Sequence, residues 1–333
     1  MVDFDWPTKV PNISVRSIER SYVRLLKPCF AANREAPMGT LVRTVIKFKK
    51  DNLTDWAAAL TYYSILAMFP ALIVLVALLG LLGTANTVTT LLNVVKSLGS
   101  SSAVDTVRGP INSVVSNKGG AAALLSAGIL GALWAASGYV AAFMRAANTI
   151  YEVDRERRIY RKIPVRIGLT LILVVVLAVV ALSLVLTGPL AEALGSALGL
   201  SGTLVTIWSI AKWPVLGLLV VFIFALLYFA APNVRHPGFR AVVPGGILAL
   251  VVWLIASAGF AFYVANFGSY NKTYGSLGGV IVFLVWLYIS NNATLLGAAF
   301  NAERERTREL KSGQPAREEL QMELRDKKGK ERG

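Results

Sequence analysis

The sequence is poor in the side chains on which most metal sites and many enzymes depend. Its 333 residues include one histidine, His236, and one cysteine, Cys29. A single cysteine cannot form a disulfide within the chain, and one histidine cannot build a histidine-rich metal site. No glycine-rich phosphate loop and no serine nucleophile motif is visible. We therefore predict no catalytic residue, no metal site and no cofactor, and a protein that is not an enzyme.

Charge is also missing from six long stretches of the chain. A transmembrane helix needs about 20 mostly apolar residues, because about 30 Å of hydrocarbon is crossed at 1.5 Å per residue. A soluble protein would interrupt such runs with a polar face on each helix. The pattern predicts an all-α polytopic membrane protein with six transmembrane helices. The uncharged stretches are 56–95, 119–144, 167–191, 213–234, 241–271 and 273–302.

The remaining charge divides the chain into three predicted parts. Residues 1–50 form a basic N-terminal segment, 51–302 the six-helix membrane domain, and 303–333 a charged, partly disordered tail. Apolar and basic positions in 41–50 predict an amphipathic helix, either on the inner membrane face or solvated in the cytoplasm. Two further amphipathic helices are predicted in 84–118, over the outer face. The predicted spans are about 54–83, 120–144, 165–188, 204–231, 242–266 and 276–300.

The distribution of basic residues predicts the orientation. The chain has a net charge of +15 and 34 Lys and Arg residues, of which 29 fall in segments on one side of the six-span arrangement. Lys and Arg are enriched near helix ends on the cytoplasmic side. Both termini are therefore predicted in the cytoplasm. The basic composition is explained by this topology, and we expect no nucleic-acid partner.

Polar side chains inside the predicted spans are the main candidates for a binding site. Polar groups in hydrocarbon are costly unless they are partnered, so they should face the bundle interior. There they either form interhelical hydrogen bonds, worth roughly 1 kcal/mol each, or line a cavity for a substrate headgroup. The sequence leaves both interpretations open. The candidates are Tyr62, Tyr63 and Ser64 in the first span, Arg145 and Asn148 at the inner end of the second, and Asn291 and Asn292 in the sixth.

A second set of candidates lies in the connector after the second span. Here arginines are interleaved with Glu152, Asp154 and Glu156. The cluster sets the topology, and it could also hold anionic lipid headgroups. The headgroup candidates are Arg155, Arg157, Arg158 and Arg161.

At its motifs the sequence resembles the YihY/BrkB family of bacterial inner-membrane proteins. The resemblance covers roughly 38–303, and the block in the sixth span is the most specific. The matching pieces are Ala57–Ser64 with Phe69-Pro70; Trp134, Ser137 and Ala147-Asn148-Thr149-Ile150-Tyr151; Pro232-Asn233 and Pro244-Gly245-Gly246; and Tyr263-Val264, Phe267, Tyr274-Gly275-Ser276-Leu277, Trp286-Leu287-Tyr288 and Leu296-Gly297-Ala298.

The resemblance implies a six-helix protein of the bacterial inner membrane with both termini in the cytoplasm. Some members carry a virulence or serum-resistance label, and the family was once labelled as a ribonuclease, for which these residues offer no support. The family pattern commonly has Glu after Leu-Gly-Ala in the sixth span, where this chain has Ala299. Glu303 lies one turn further along and is the residue that could replace it.

The sequence therefore favours a non-enzymatic membrane protein that transports or positions a lipid or another amphipathic envelope molecule. Membrane lipids are the expected partners, with envelope proteins as a further class. The first alternative is a structural or assembly factor of the cell envelope that transports nothing, and a remote alternative is a ribonuclease. Oligomeric state, substrate and energy source are left open by the sequence.

Overall fold

The computed structural model describes residues 39–82, 118–185, 202–266, 276–316, 320–327 and 330–331. The chain divides into two units, Met1–Arg43 and Thr44–Gly333, and residues 39–43 are the described part of the first. Within the described residues the structure is mostly helical. It has seven α-helices: α1 (Thr40–Lys50), α2 (Leu53–Leu82), α3 (Lys118–Ile150), α4 (Ile159–Val185), α5 (Gly202–Ala230), α6 (Val243–Asn266) and α7 (Ser276–Lys311).

The helices confirm the class of protein predicted from the sequence, a helical membrane protein. Five segments of the described residues are long and apolar enough to cross a membrane. The crossing of α2, the total of six spans and the orientation of the termini stay predictions. The outer-face helices predicted in 84–118 fall almost wholly outside the described residues. The five segments are Ser126–Ile150, Ile159–Val180, Ile210–Ala230, Phe239–Asn266 and Gly278–Lys311.

Three helices extend beyond the predicted spans. The second predicted span ends at residue 144, but α3 continues to Ile150; the third is predicted from 165, but α4 begins at Ile159. The sixth is predicted to end at 300, whereas α7 reaches Lys311. The reason is that charge ends the apolar stretch and not the helix. Long basic side chains can reach the interface while the backbone hydrogen bonding continues.

Small residues let α2 and α3 approach closely. An added Cβ at Gly138 would lie 3.0 Å from the Tyr63 ring, and one at Gly131 would lie 3.4 Å from Pro70. Close approach of this kind favours helix association in lipid. Lipid tails are as apolar as the helix surface, so the hydrophobic effect does not drive the two helices together there. Towards the α3–α4 connector the pair joins the buried core, which includes Leu60 and Phe143.

Helices α6 and α7 approach each other more closely than α2 and α3 do, and hydrogen bonds hold their crossing in place. The Asn301 side chain accepts a bond from the Gly245 amide at 2.9 Å and donates one to the Val242 carbonyl at 2.8 Å. Tyr228 of α5 donates from its hydroxyl to the Thr294 carbonyl at 2.6 Å. These bonds fix the ends of α5, α6 and α7 against one another.

The C-terminal segment differs from the predicted tail. Residues 303–311 continue α7, and the chain then packs back onto the end of the bundle. Strand β1 (Arg155–Glu156) pairs antiparallel with β2 (Lys330–Glu331), and Val234 forms a bridge with Leu324. The described part of this segment is ordered because its polar groups find partners on the connectors.

Candidate functional site

A basic pocket opens where the α3–α4 connector, the turn after α5 and the C-terminal segment meet. Its volume is about 300 Å³, which lies at the lower end of the range for small-molecule sites. Five of its eight lining side chains are cationic and one is a carboxylate. We call it the basic pocket; it is lined by Arg158, Tyr160, Arg161, Arg235, Leu324, Arg325, Asp326 and Lys327.

Three of the pocket cations are exposed, and two of them lie near a carboxylate outside the lining: Glu323 is 3.5 Å from Arg235 Nη1 and 4.0 Å from Lys327 Nζ. The side chains of Arg161, Arg235 and Lys327 are 56%, 69% and 71% exposed. The single lining carboxylate, Asp326, is already engaged. It accepts the Arg158 amide at 3.0 Å, and Arg161 Nη1 lies 3.8 Å away. The pocket therefore presents an excess of positive charge to its opening.

A buried amide holds one wall of the pocket in place. Asn233 donates to the carbonyls of Arg155 and Asp326 at 3.0 and 3.3 Å, and its side-chain oxygen accepts the Asp326 amide at 3.0 Å. Its own backbone amide donates to the Asn148 side chain at 2.9 Å. One residue thus joins α3, the connector and the C-terminal segment.

Two guanidinium groups cap the C-terminal end of α5. Arg157 donates to the carbonyls of Ala230 and Pro232 at 3.0 and 2.5 Å. Arg325 donates to the carbonyls of Val234 and Phe229 at 2.7 and 2.9 Å. Carbonyls at a helix C-terminus have no partner within the helix, and the dipole there favours cations. These arginines therefore have a structural role in building the pocket.

Burial and crowding of positive charge act on these groups. Burial lowers the pKa of Arg157 to about 10, with the Arg325 charge adding to the shift and Asp326 opposing it. Burial, and then the charge of Arg235, likewise lowers the pKa of Arg325. Arg157 nevertheless stays protonated at pH 7.

The rim of the pocket is formed by the first turn of α4. Arg158 Nη1 donates to the Tyr160 hydroxyl at 2.9 Å, and the guanidinium carbons of Arg158 and Arg161 lie 5.8 and 5.9 Å from the Tyr160 ring centroid. Ile159 and Ile163 beside it are exposed. Tyrosine with arginine above an apolar surface is typical of the membrane interface. The pocket thus adjoins the start of a membrane-spanning segment.

The four predicted headgroup candidates divide into two pairs. Arg158 and Arg161 line the basic pocket. Arg157 caps α5, and Arg155 donates from Nη1 to the Lys327 carbonyl at 3.2 Å, so these two support the pocket from outside. A headgroup role for any of them remains a proposal.

The first-span candidates do not enclose a cavity together. Tyr62 is 59% exposed, and its ring meets Tyr63 edge-on with centroids 5.4 Å apart. The Tyr63 ring lies against Gly138 of α3. Ser64 donates to the Leu60 carbonyl at 2.9 Å within its own helix. Of the three, Tyr62 presents its ring outward.

The sixth-span candidates are partnered within the bundle. Asn291 accepts the Tyr139 hydroxyl at 3.0 Å and donates to the Thr61 hydroxyl at 3.1 Å, which ties α7 to α3 and α2. Asn292 donates to the Tyr288 carbonyl one turn earlier at 2.8 Å. Asn291 thus makes interhelical hydrogen bonds, Asn292 bonds within its own helix, and a substrate role for either residue remains a proposal.

The second-span candidates lie together near the C-terminal end of α3. Arg145 and Asn148 line a small void of about 10 Å³, which is close to the minimum for one water molecule. The predicted set of seven is therefore spread over separate places. The other residues lining the void are Met144, Glu156, Arg157, Lys162 and Ala231.

Several basic residues important to the site were not singled out in the sequence. Arg235 belongs to the turn after α5, and Arg325 and Lys327 to the C-terminal segment, more than 160 residues from Arg158 along the chain. The sequence showed that these residues are charged, but it did not show that they come together in one pocket. Arg166 lies at the start of the third predicted span, about 165–188, and two turns inside α4.

A second charged cluster ties α1 and α7 to the α3–α4 connector. The Glu152 carboxylate accepts bonds from Lys47 at 2.8 Å, Arg306 at 2.6 Å and the Leu320 amide at 3.0 Å. Burial acts to raise the pKa of Glu152, but these partners outweigh it and lower the pKa below its usual value. The cluster fixes the position of α1 residue Lys47.

The position where the family pattern commonly has Glu is apolar and enclosed. Ala299 is fully buried. Glu303, one turn further along α7, is buried as well, and its carboxylate lies 3.2 Å from Arg306 Nε. It is thus joined to the Glu152 cluster through Arg306.

Among the described residues, no group of three His, Cys, Asp or Glu side chains is arranged to hold a metal ion.

The fold and the site define a polytopic helical membrane protein with a basic pocket at one end of its bundle. The model of the virulence-factor BrkB family matches residues 44–321, and this chain belongs to that family. The resemblance seen in the sequence is thereby confirmed.

Similar proteins carry two kinds of description. A Bacillus subtilis (strain 168) protein named as ribonuclease-like, YfkH, is 32% identical over 78% of this chain and 92% of its own length. A UPF0761 membrane protein of Alkalilimnicola ehrlichii is 31% identical over 76% of this chain and 55% of its own length. The UPF0761 membrane protein RSc1559 of Ralstonia nicotianae is 30% identical over 54% of this chain and 39% of its own length. The chain thus spans about half the length of these UPF0761 relatives or less. No solved structure matches it.

Proposed function

We propose that this protein positions or transports a lipid, or another amphipathic envelope molecule, whose anionic headgroup binds in the basic pocket. The observation that carries the proposal is the pocket itself. Five cationic side chains converge from three distant segments, and only one carboxylate lines the same opening. Basic pockets beside membrane-spanning helices are suited to phosphate-bearing headgroups.

The location of the pocket supports a lipid as the ligand. Tyr160 and the exposed Ile159 mark its rim as the interfacial end of α4. A headgroup there could keep its acyl chains in the hydrocarbon beside the same helix. With both termini in the cytoplasm of a bacterium, as proposed from the charge distribution, the pocket would face the cytoplasmic leaflet of the inner membrane.

The proposal is tested by removing the exposed pocket cations. The triple variant Arg161→Gln, Arg235→Gln, Lys327→Gln is compared with Arg240→Gln, Arg304→Gln, Lys311→Gln, which removes equal charge at exposed positions outside the pocket lining. Purified protein in neutral detergent is titrated with phosphatidylglycerol and with phosphatidylcholine of the same chains. We expect the pocket variant to bind phosphatidylglycerol at least tenfold more weakly, and the control variant to bind as the wild type does. Equal binding by both variants would exclude the pocket as a headgroup site.

A structural role in the envelope is favoured by a different observation. The predicted cavity residues Asn148 and Asn291 are bonded to other protein groups, and Asn292 to its own helix. Such pairing is expected of a scaffold that binds envelope proteins. Lipid composition of each membrane leaflet in cells lacking the protein separates the two functions, because only the lipid-handling function predicts a change that the pocket variant reproduces.

A further inference from the structure

An arginine, Arg166, lies in the seam between α3 and α4, two helices with segments long and apolar enough to cross a membrane. Arg166 is seven residues after the first residue of α4, about 10 Å along its axis, within the segment Ile159–Val180. Its Nε and Nη2 atoms donate to the carbonyl and hydroxyl oxygens of Ser137 at 2.8 and 2.6 Å. Ser137 is near the middle of the segment Ser126–Ile150.

The charge of Arg166 is not balanced by the protein groups that the structure describes. Neighbouring cations of the same region have carboxylate partners: Lys162 lies 2.6 Å from Glu156, and Lys47 lies 2.8 Å from Glu152. Arg166, over the described residues, contacts the neutral oxygens of Ser137 and forms no ion pair. A cation within a spanning segment is costly and marks a functional site by default. An anionic ligand would supply the missing charge.

The guanidinium keeps donors for such a ligand. It has five N–H groups, and the two bonds to Ser137 use two of them. Arg166 as a whole residue is half-buried. Guanidinium groups bind phosphate through paired, charge-assisted hydrogen bonds.

The surface next to Arg166 fits an acyl chain. Apolar residues recur every fourth position along α4 and are all exposed, and Trp134 of α3, one turn from Ser137, is 74% exposed. A lipid phosphate at Arg166 would therefore have hydrocarbon contacts beside it. The exposed residues of α4 are Ile163, Ile167, Leu171 and Val175.

We propose that Arg166, positioned by Ser137, binds the phosphate of a phospholipid inside the membrane, as a second headgroup site beyond the basic pocket. The inference rests on the proposed lipid-handling function. It adds the class of ligand, a lipid phosphate, and the depth in the membrane at which that phosphate binds. Arg161 of the pocket precedes Arg166 by five residues, about 7.5 Å along the helix.

The test counts phospholipids bound to purified protein by native mass spectrometry in neutral detergent. The probes are phosphatidylglycerol and diacylglycerol of the same chains, since the second lacks the phosphate. In the Arg166→Gln variant we expect one fewer bound phosphatidylglycerol molecule, or tenfold weaker binding of one such molecule. Diacylglycerol binding should be unchanged. Arg166→Lys keeps the charge but loses the paired guanidinium donors, so it should bind phosphatidylglycerol more tightly than Arg166→Gln and more weakly than the wild type. Arg240→Gln should bind as the wild type does. Loss of binding in Arg166→Lys equal to that in Arg166→Gln would overturn the charge-based site.

If Arg166 has only a structural role, the unfolding and lipid-binding measurements give a different result. In that case Arg166→Gln and Ser137→Ala lower the thermal unfolding temperature alike and leave the number of bound phospholipids unchanged, which overturns the proposal. If Arg166→Gln does not fold, Ser137→Ala decides: it removes the hydroxyl that positions the guanidinium, so phosphatidylglycerol should bind several-fold more weakly, and unchanged binding would overturn the proposal. Displacement of that lipid by 10 mM inorganic phosphate would show a free-phosphate site and would also overturn the proposal.

The proposed headgroup site in the basic pocket and the proposed phosphate site at Arg166 can be refuted separately. If the triple pocket variant keeps all its phosphatidylglycerol while Arg166→Gln loses one, the basic pocket is refuted and the seam site stands. If only the pocket variant loses lipid, the seam site is refuted and the proposed function stands.

Discussion

Buried amides carry much of the polar organisation at the scale of single residues. Asn233 is fully buried and bonds to Asn148, the Arg155 carbonyl and Asp326. Asn291 joins Tyr139 and Thr61. An unpaired buried amide costs about 1–3 kcal/mol, so each of these groups depends on its partners being in place. Their polarity was predictable from the sequence, and their partners were not.

His236 is a buried titratable residue beside the basic pocket. Its ring packs edge-on against Tyr151, with centroids 5.2 Å apart, and lies 5.9 Å from Phe229. Among the described residues its Nε2 atom has no hydrogen-bond partner. Burial, and then the charge of Arg325, lowers the pKa of His236 to about 4, against an opposing bond with the Tyr228 backbone. His236 is therefore neutral at pH 7.

The lowered pKa of His236 predicts a loss of stability in mild acid. The unfolded chain takes up the proton near pH 6.5, and the folded protein only near pH 4. The contribution of His236 is thus complete above pH 6.5 and is lost as the pH falls towards 4, by about 2–3 kcal/mol. Thermal unfolding in detergent, measured between pH 7 and pH 5, should show a falling midpoint. In His236→Phe this fall should be smaller, and equal pH dependence in both proteins would contradict the assignment.

At the scale of helices, α6 and α7 are held by a crossing of glycines. A Cβ at Gly297 would collide with the Gly245 carbonyl oxygen and the Tyr228 hydroxyl, and would lie 2.8 Å from the Ala249 Cβ. Further along, Trp253 donates to Ser290 at 2.9 Å and Trp286 to Ser257 at 3.2 Å. The two helices therefore interlock along much of their length.

Gly297→Ala should separate α6 from α7. The backbone of each helix must move because the colliding atoms include a carbonyl oxygen, and overpacking of this kind costs about 1–3 kcal/mol. Gly279→Ala is the matched control, since Gly279 lies on the same helix and an added Cβ there meets nothing within 4 Å. Thermal unfolding in detergent should show a lower midpoint for Gly297→Ala and an unchanged or higher one for Gly279→Ala. Equal midpoints for both variants would show that the crossing can relax at no cost.

At the scale of the whole molecule, the charge distribution predicts the orientation. Of the 34 Lys and Arg residues, 29 lie on the side assigned to the cytoplasm. Reporter fusions after residues 150, 238 and 310 should give a cytoplasmic signal, and fusions near 105, 196 and 271 an external one. A cytoplasmic signal from the fusion at 105 would remove α2 from the set of spanning helices.

The ribonuclease description of the Bacillus relative gives a further whole-molecule prediction. Metal-dependent hydrolysis of a phosphodiester needs carboxylate or histidine ligands that converge on a water molecule. Glu156 is paired with Lys162 at 2.6 Å, and the ring of His236 is packed against Tyr151. We expect no RNA cleavage by the purified protein, with or without divalent metal. The comparison protein is His236→Ala, Asp154→Ala, Glu156→Ala at equal purity: metal-dependent cleavage that vanishes in it would establish a nuclease.

The sequence by itself determined the membrane class and most of the helices. Both follow from one-dimensional patterns, because a spanning helix satisfies its backbone hydrogen bonds internally and needs only an apolar length. The family resemblance was also carried by local motifs, such as the block from Tyr274 to Ala298. The helix ends were less predictable, as α3, α4 and α7 show, because charge marks the edge of the hydrocarbon and not the end of hydrogen bonding.

The basic pocket and the partners of the buried polar groups were decided by the tertiary structure. Arg158, Arg235 and Lys327 lie far apart in sequence and meet because β1 pairs with β2 and Val234 pairs with Leu324. Periodicity shows which face of a helix is polar, but not which distant segment packs against it. Arg166 shows the same limit: the sequence placed it at the start of the third predicted span, and only the packing of α4 against α3 brought it to Ser137.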